Sequence, residues 1–95
     1  MSKWRKAAKI DANQPAIVKA LRAIPGVTVQ LGMDDILVGY KGITYWFEIK
    51  EPEKVSKKTG KILDSAIKPS QMKLLDTWTG HYSIVWSLDQ ILTEL

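Results

Sequence analysis

The segment that most restricts how this chain can fold is 34–50, DDILVGYKGITYWFEIK. Two runs rich in β-branched and aromatic residues flank Lys41-Gly42, which suits a two-residue hairpin turn. With that turn, Tyr40 opposes Ile43. The pairing then runs through Gly39–Thr44, Val38–Tyr45, Leu37–Trp46 and Ile36–Phe47 to Asp35–Glu48. Strand side chains alternate between faces, so Ile36, Val38, Tyr40, Ile43, Tyr45 and Phe47 share an apolar face. Asp35, Glu48 and Lys50 share the other with Leu37 and Trp46. The assignment hangs on the turn: one residue more would send Asp35 to the opposite face.

Charges are usually kept off buried strand faces, because desolvating an unpaired charge is costly. Directly opposed Cβ atoms lie about 4.5–5.5 Å apart, and two carboxylates at that spacing repel. A divalent cation between Asp35 and Glu48 converts the repulsion into coordination by hard oxygen donors, which suits Mg2+ or Mn2+. Lys50, on the same side, is placed to orient an attacking water or to offset charge building on a phosphate. The residues leave a second reading open, in which all three are ordinary charges at a solvated strand end. Glu-x-Lys alone decides nothing, since it recurs by chance.

Elsewhere the spacing predicts a helix over 11–24, with Ile17, Leu21 and Ile24 on one side, Asp11 or Asn13 as cap and Pro15 in the first turn. Pro25-Gly26 ends it, and VTVQL (27–31) alternates as a short strand. Residues 51–70 read as a polar, basic surface loop. PSQMKLLDTW (69–78) reads as a helix capped by Ser70, with Leu74, Leu75 and Trp78 on its apolar side. HYSIVWS (81–87) is a last strand and LDQILTEL a closing helix. The order α-β-β-β-α-β-α implies an α/β fold: a mixed central sheet flanked by helices, with the third and fourth strands parallel.

At 95 residues, 45% apolar and 25% charged, the chain matches one ordinary soluble domain. No run is long and apolar enough to span a membrane, and MSKWRKAAKI has no apolar signal core. The absence of cysteine excludes thiol catalysis and Cys-ligated zinc. The excess of 14 basic over 10 acidic side chains, net +4, is mild, but it is clustered. Lys3, Arg5, Lys6 and Lys9 form a basic arm over residues 1–10, and Lys54, Lys57, Lys58, Lys61 and Lys68 crowd the middle. Basic patches on both sides of an acidic pair suit a polyanion whose phosphates sit beside a metal. Lysines that merely keep a small domain soluble remain an equal alternative.

Asp35 followed by Glu48-Ile49-Lys50 resembles the D…(D/E)-x-K core of the PD-(D/E)XK nucleases. Within that superfamily the chain resembles the VRR-NUC branch, the virus-type replication-repair nucleases. The segments that carry the likeness are DANQPAIVKALR, GMDDILVGYKG, WFEIK, PSQMKLL and DTWTGHYSIVWSLDQIL, so it covers roughly residues 11–95. The resemblance implies a restriction-endonuclease-like core in which Asp35, Glu48 and the backbone carbonyl of Ile49 ligate Mg2+ or Mn2+. Lys50 would be the catalytic lysine, and Gln71 would stand at the mouth of the site. An alternative for Gln71 is bonding of backbone groups at the helix start. Arg5, Lys6, Lys54, Lys57, Lys58 and Lys61 would hold DNA. The chain departs from the family at Asp34, where a proline is usual, and at Gln14, where a first-helix glutamate is common. Stand-alone members are viral or bacterial and similar to homodimeric Holliday-junction resolvases. The implied protein is a homodimeric endonuclease on four-way or otherwise branched DNA, in the cytoplasm of a bacterial host if phage-encoded. Two rival readings are a junction-binding module that cuts little or nothing, and a nuclease of linear DNA or RNA. Trp4 is placed to stack on bases, Trp78 and Trp86 read as core or interface aromatics, and His81 as a surface residue.

Overall fold

The computed structural model describes residues 13–32 and 35–95. The basic arm with Arg5 and Lys6, the candidate cap Asp11, and Asp34 lie outside the described residues. The chain runs α1 (Gln14–Arg22), β1 (Val27–Leu31), β2 (Asp35–Tyr40), β3 (Ile43–Ile49), α2 (Pro69–Thr77), β4 (His81–Val85) and α3 (Leu88–Glu94). The four strands form one mixed sheet in sequential order. β1, β2 and β3 are antiparallel neighbours, and β4 lies parallel to β3 after the crossover through α2.

The hairpin turn sets this arrangement. Lys41 and Gly42 both have positive φ, 51° and 80°, the conformation of a two-residue turn whose twist matches the flanking strands. Tyr40 therefore pairs with Ile43, and Asp35 with Glu48 five rungs on. Ile36, Val38, Tyr45 and Phe47 point into the core with Ile49 of β3 and Val85 of β4. Ile43, expected on that face, lies next to the turn and is 44% exposed, beyond the reach of the covering helices. From α1, Ile17, Val18 and Leu21 close over this face, and Ile91 of α3 joins them. Their i, i+1, i+4 spacing gives α1 one buried stripe, which Gln14 continues at its N-terminal end.

Two local expectations are corrected, and the turn-rich loop after β3 gains detail. Helix α2 is not capped by Ser70: its N-cap is Lys68, Pro69 takes the first helical position, and Ser70 lies inside. The apolar side of α2 is not buried, since Leu74 is half-buried and Leu75 and Trp78 are exposed. A nine-residue helix packed chiefly on β4 covers too little of the sheet to bury that side. The segment 51–68 is not shapeless. It carries 3-10 turns at Pro52–Lys54 and Asp64–Ala66, and a Val55–Ile62 bridge closes a tight loop around Gly60.

Because a left-handed residue with a Cβ costs about 1–2 kcal/mol more than glycine, Gly42→Ala should lower the unfolding free energy by that amount. Lys41→Asn should move it upward, since asparagine tolerates this conformation. Urea denaturation followed by tryptophan fluorescence reads both shifts.

Candidate functional site

The charged residues lie on the sheet face opposite the core, at the end remote from the hairpin turn. Glu48 is on β3, flanked by Asp35 on β2 and Ile84 on β4. It is only 4% exposed. Lys50 follows at the end of the strand and is also buried, with its Nζ 3.9 Å from Glu48 Oε2. Two charges removed this far from water are tolerated when they face each other and find further polar partners.

The backbone at Lys50 is fixed from two directions. Its N–H donates to the Val85 carbonyl (2.8 Å), and its own carbonyl accepts from Asn13 Nδ2 (3.1 Å). The same amide nitrogen donates to the Trp86 carbonyl at 3.2 Å. Asn13 is the N-cap position of α1, yet its side chain makes no cap hydrogen bond. It clamps the helix start to the ends of β3 and β4 instead.

Asp35 is half-buried, and its Oδ2 accepts a short hydrogen bond from Trp46 Nε1 (2.6 Å). Trp46 is held edge-on by Trp78 and by Tyr82, with ring centroids 5.1 and 4.9 Å away. On the other side, the carboxylate lies against Gly32, whose N–H donates to the Asp35 carbonyl at 2.8 Å. A Cβ at position 32 would collide with Asp35 Oδ1. Glycine here lets the acid lie flat against the β1–β2 connection.

Two glutamines are also buried, Gln71 at the start of α2 and Gln14 on the α1 stripe that covers the core face. Gln71, 5% exposed, turns its Oε1 back to accept from the Lys68 N–H at 3.0 Å. The backbone-capping alternative is the one the structure displays, and that oxygen is spent on the helix start. Gln14, 4% exposed, is different: among the described residues its Oε1 has no hydrogen-bond partner. A buried acceptor left unsatisfied costs about 1–3 kcal/mol, which a cation or donor would relieve.

A hard divalent cation suits the donor types of this set, two carboxylates with amide and carbonyl oxygens. Among the described residues no group of three or more His, Cys, Asp or Glu side chains is placed to hold a metal. The carboxylate share therefore rests on Asp35 and Glu48. Ile49 buries its side chain fully in the core, leaving only its backbone to serve the site. Lys54, Lys57, Lys58 and Lys61 are exposed on the segment that leaves the sheet just after Lys50 and returns at Gln71.

The reading of sequence missed the Asn13 clamp and the Trp46–Asp35 bond. The second had a signal: Trp46 shares a face with Asp35 and is its diagonal neighbour, two rungs along the hairpin. No family model, no curated protein and no solved structure matches this chain.

Removing the clamp with Asn13→Ala leaves two backbone carbonyls short of a donor. The variant should lose about 1–3 kcal/mol of stability, measured as a fall in the urea midpoint at unchanged slope.

Proposed function

We propose that this protein is a metal-dependent endonuclease that hydrolyses phosphodiester bonds in branched DNA, four-way junctions included, acting as a homodimer. The observation that carries the reading is the face-to-face placement of Asp35 and Glu48 with Lys50 buried beside them. Opposed acids weaken a sheet, and a cation between them would add to the relief that Lys50 already gives Glu48.

Asp35, Glu48 and the Ile49 carbonyl would hold Mg2+ or Mn2+. Such an ion, when bound, polarises a phosphoryl oxygen and makes water a better nucleophile near neutral pH. The chain's own residues do the rest. Trp46 holds Oδ2 of Asp35 and Gly32 flanks Oδ1, so the side chain would turn toward Glu48 to take up a cation. The Lys50 ammonium, tethered near Glu48, orients the attacking water and offsets negative charge as the P–O bond to the leaving group breaks. The Asn13 clamp keeps Lys50 at a fixed height over the sheet. The lysines of segment 51–68 draw in the backbone of the nucleic acid. Two symmetric cuts across a junction need two such sites related by a two-fold axis, which is the reason for the homodimer.

A second reading keeps the DNA binding without the cutting. It is favoured by Gln14, a neutral amide where an acid would strengthen cation binding, and by the commitment of Gln71 Oε1 to its helix. Among the described residues no helix is long and apolar enough to cross a membrane.

Purified protein incubated with a four-way junction and Mn2+ should yield nicked strands. Asp35→Ala and Lys50→Ala should each cut about 100-fold more slowly or worse. Equal cutting by all three ends the catalytic assignment, and junction binding with no product in Mg2+ or Mn2+ selects the second reading. Independently of cleavage, millimolar Mn2+ should raise the thermal midpoint of the wild-type chain, by linkage to the folded state. It should leave Asp35→Ala unmoved.

A further inference from the structure

On the same sheet face, a groove of about 440 Å3 runs from Asp35 toward the exposed β1 edge. Its walls are Trp46, Trp78 and Leu37, with Gln30 and Thr44 as polar points, and Asp35 closes one end. Trp78 is 52% exposed and Leu37 41%. The volume is that of a small-ligand site, apolar with few polar groups.

We propose that this groove is a nucleobase subsite: it takes the base of one unpaired nucleotide while that nucleotide's phosphate lies at Asp35 and Glu48. The inference rests on the nuclease reading for its orientation. Three observations select this occupant. Trp46 and Trp78, set edge to face, make with Leu37 an apolar groove in which a base can stack on Trp78, the more exposed indole, and aromatic side chains hold bases by stacking irrespective of sequence. Thr44 and Gln30 supply the hydrogen-bonding groups that a base edge requires and a hydrocarbon does not. The groove also shares Asp35 with the acidic pair, while the lysines of 51–68 leave the sheet at that same end. A ligand that is neutral and planar at one end and anionic at the other matches both surfaces, which describes a nucleotide within a strand.

The consequence is a substrate class. A base inside a duplex is stacked on both sides and must be extruded at a cost of a few kcal/mol. A base at a branch point, flap or gap enters without that cost. Selection for branched DNA then comes from the slot, and the acids need not recognise the junction at all.

The test uses the full chain with Ca2+ in place of Mn2+, so that a cation offsets the two acids beside the phosphate, and it reads binding rather than cleavage. A short fluorescein-labelled oligothymidylate is titrated against wild type and Trp78→Ala, each verified as folded by circular dichroism. A base-free deoxyribose-phosphate oligomer of equal length serves as the second ligand. Stacking of one base is worth about 1–3 kcal/mol, so Trp78→Ala should bind oligothymidylate about 5- to 100-fold more weakly. The base-free chain should bind both proteins with the same, weaker affinity. Equal affinity of the wild-type chain for the two oligomers overturns the subsite, even if the variant fails to fold. A wild-type dimer that Trp78→Ala converts to monomers at unchanged oligonucleotide affinity also overturns it, and gives the groove to a second copy of the chain. Failure of the nuclease reading shows separately, as no product with Mn2+ while base-dependent binding persists.

Discussion

Two carboxylates on opposed rungs of a sheet repel each other, and strand pleating leaves this chain no way to part them. Between the Lys41-Gly42 turn and the Asp35–Glu48 rung, four of the apolar side chains of β2 and β3 must all face the core. Burying a phenylalanine, isoleucine or valine is worth about 1.5–3 kcal/mol each. Repulsion between two partly hydrated acids is small beside the sum of four such terms. Slipping the register by one residue to separate the acids would turn all of those side chains to solvent. The core thus holds the acids together, and the energy of the site is drawn from the opposite face of the same strands.

How the site copes with that repulsion differs between its members. Asp35 keeps contact with water and gives one oxygen to the Trp46 indole, a charge-assisted bond of 2.6 Å. Glu48 is deeper and has the Lys50 ammonium at 3.9 Å, close for attraction and long for a hydrogen bond. That spacing keeps Lys50 from being locked to Glu48 alone. Asn13 holds the Lys50 backbone, so what motion remains to this residue lies in its side chain.

Much of this was legible in the sequence where one short-range rule governs. The turn pair fixed the register, the register fixed the faces, and the element order followed from period and breakers. The losses occurred where tertiary contacts compete with local ones. Asn13 reads as a helix cap, yet two distant carbonyls outbid its own helix for the side chain. Ser70 reads as a cap, but Pro69 ahead of it already fits the first helical position, moving the boundary to Lys68. Trp78 and Leu75 read as core by their type. A sequence does not reveal that the helix bearing them is too short to cover the sheet beneath. The Lys50–Glu48 proximity was inferred from alternation, whereas the burial of Gln14 and Gln71 had no local signal.

The two faces of the sheet are therefore unequal by construction. Helices α1 and α3 both close over one face and share a single apolar cluster with the strands. Among the described residues the other face has only α2, which buries Gln71 at its first turn and ends at an exposed tryptophan. Extending α2 or enlarging its apolar residues would cover Leu37 and Trp46, add buried area and raise stability. It would also fill the groove and shut Asp35 away from any large anionic ligand. An uncovered, partly aromatic sheet face beside two acids is a stability forgone, and it is on that face that the polar groups converge.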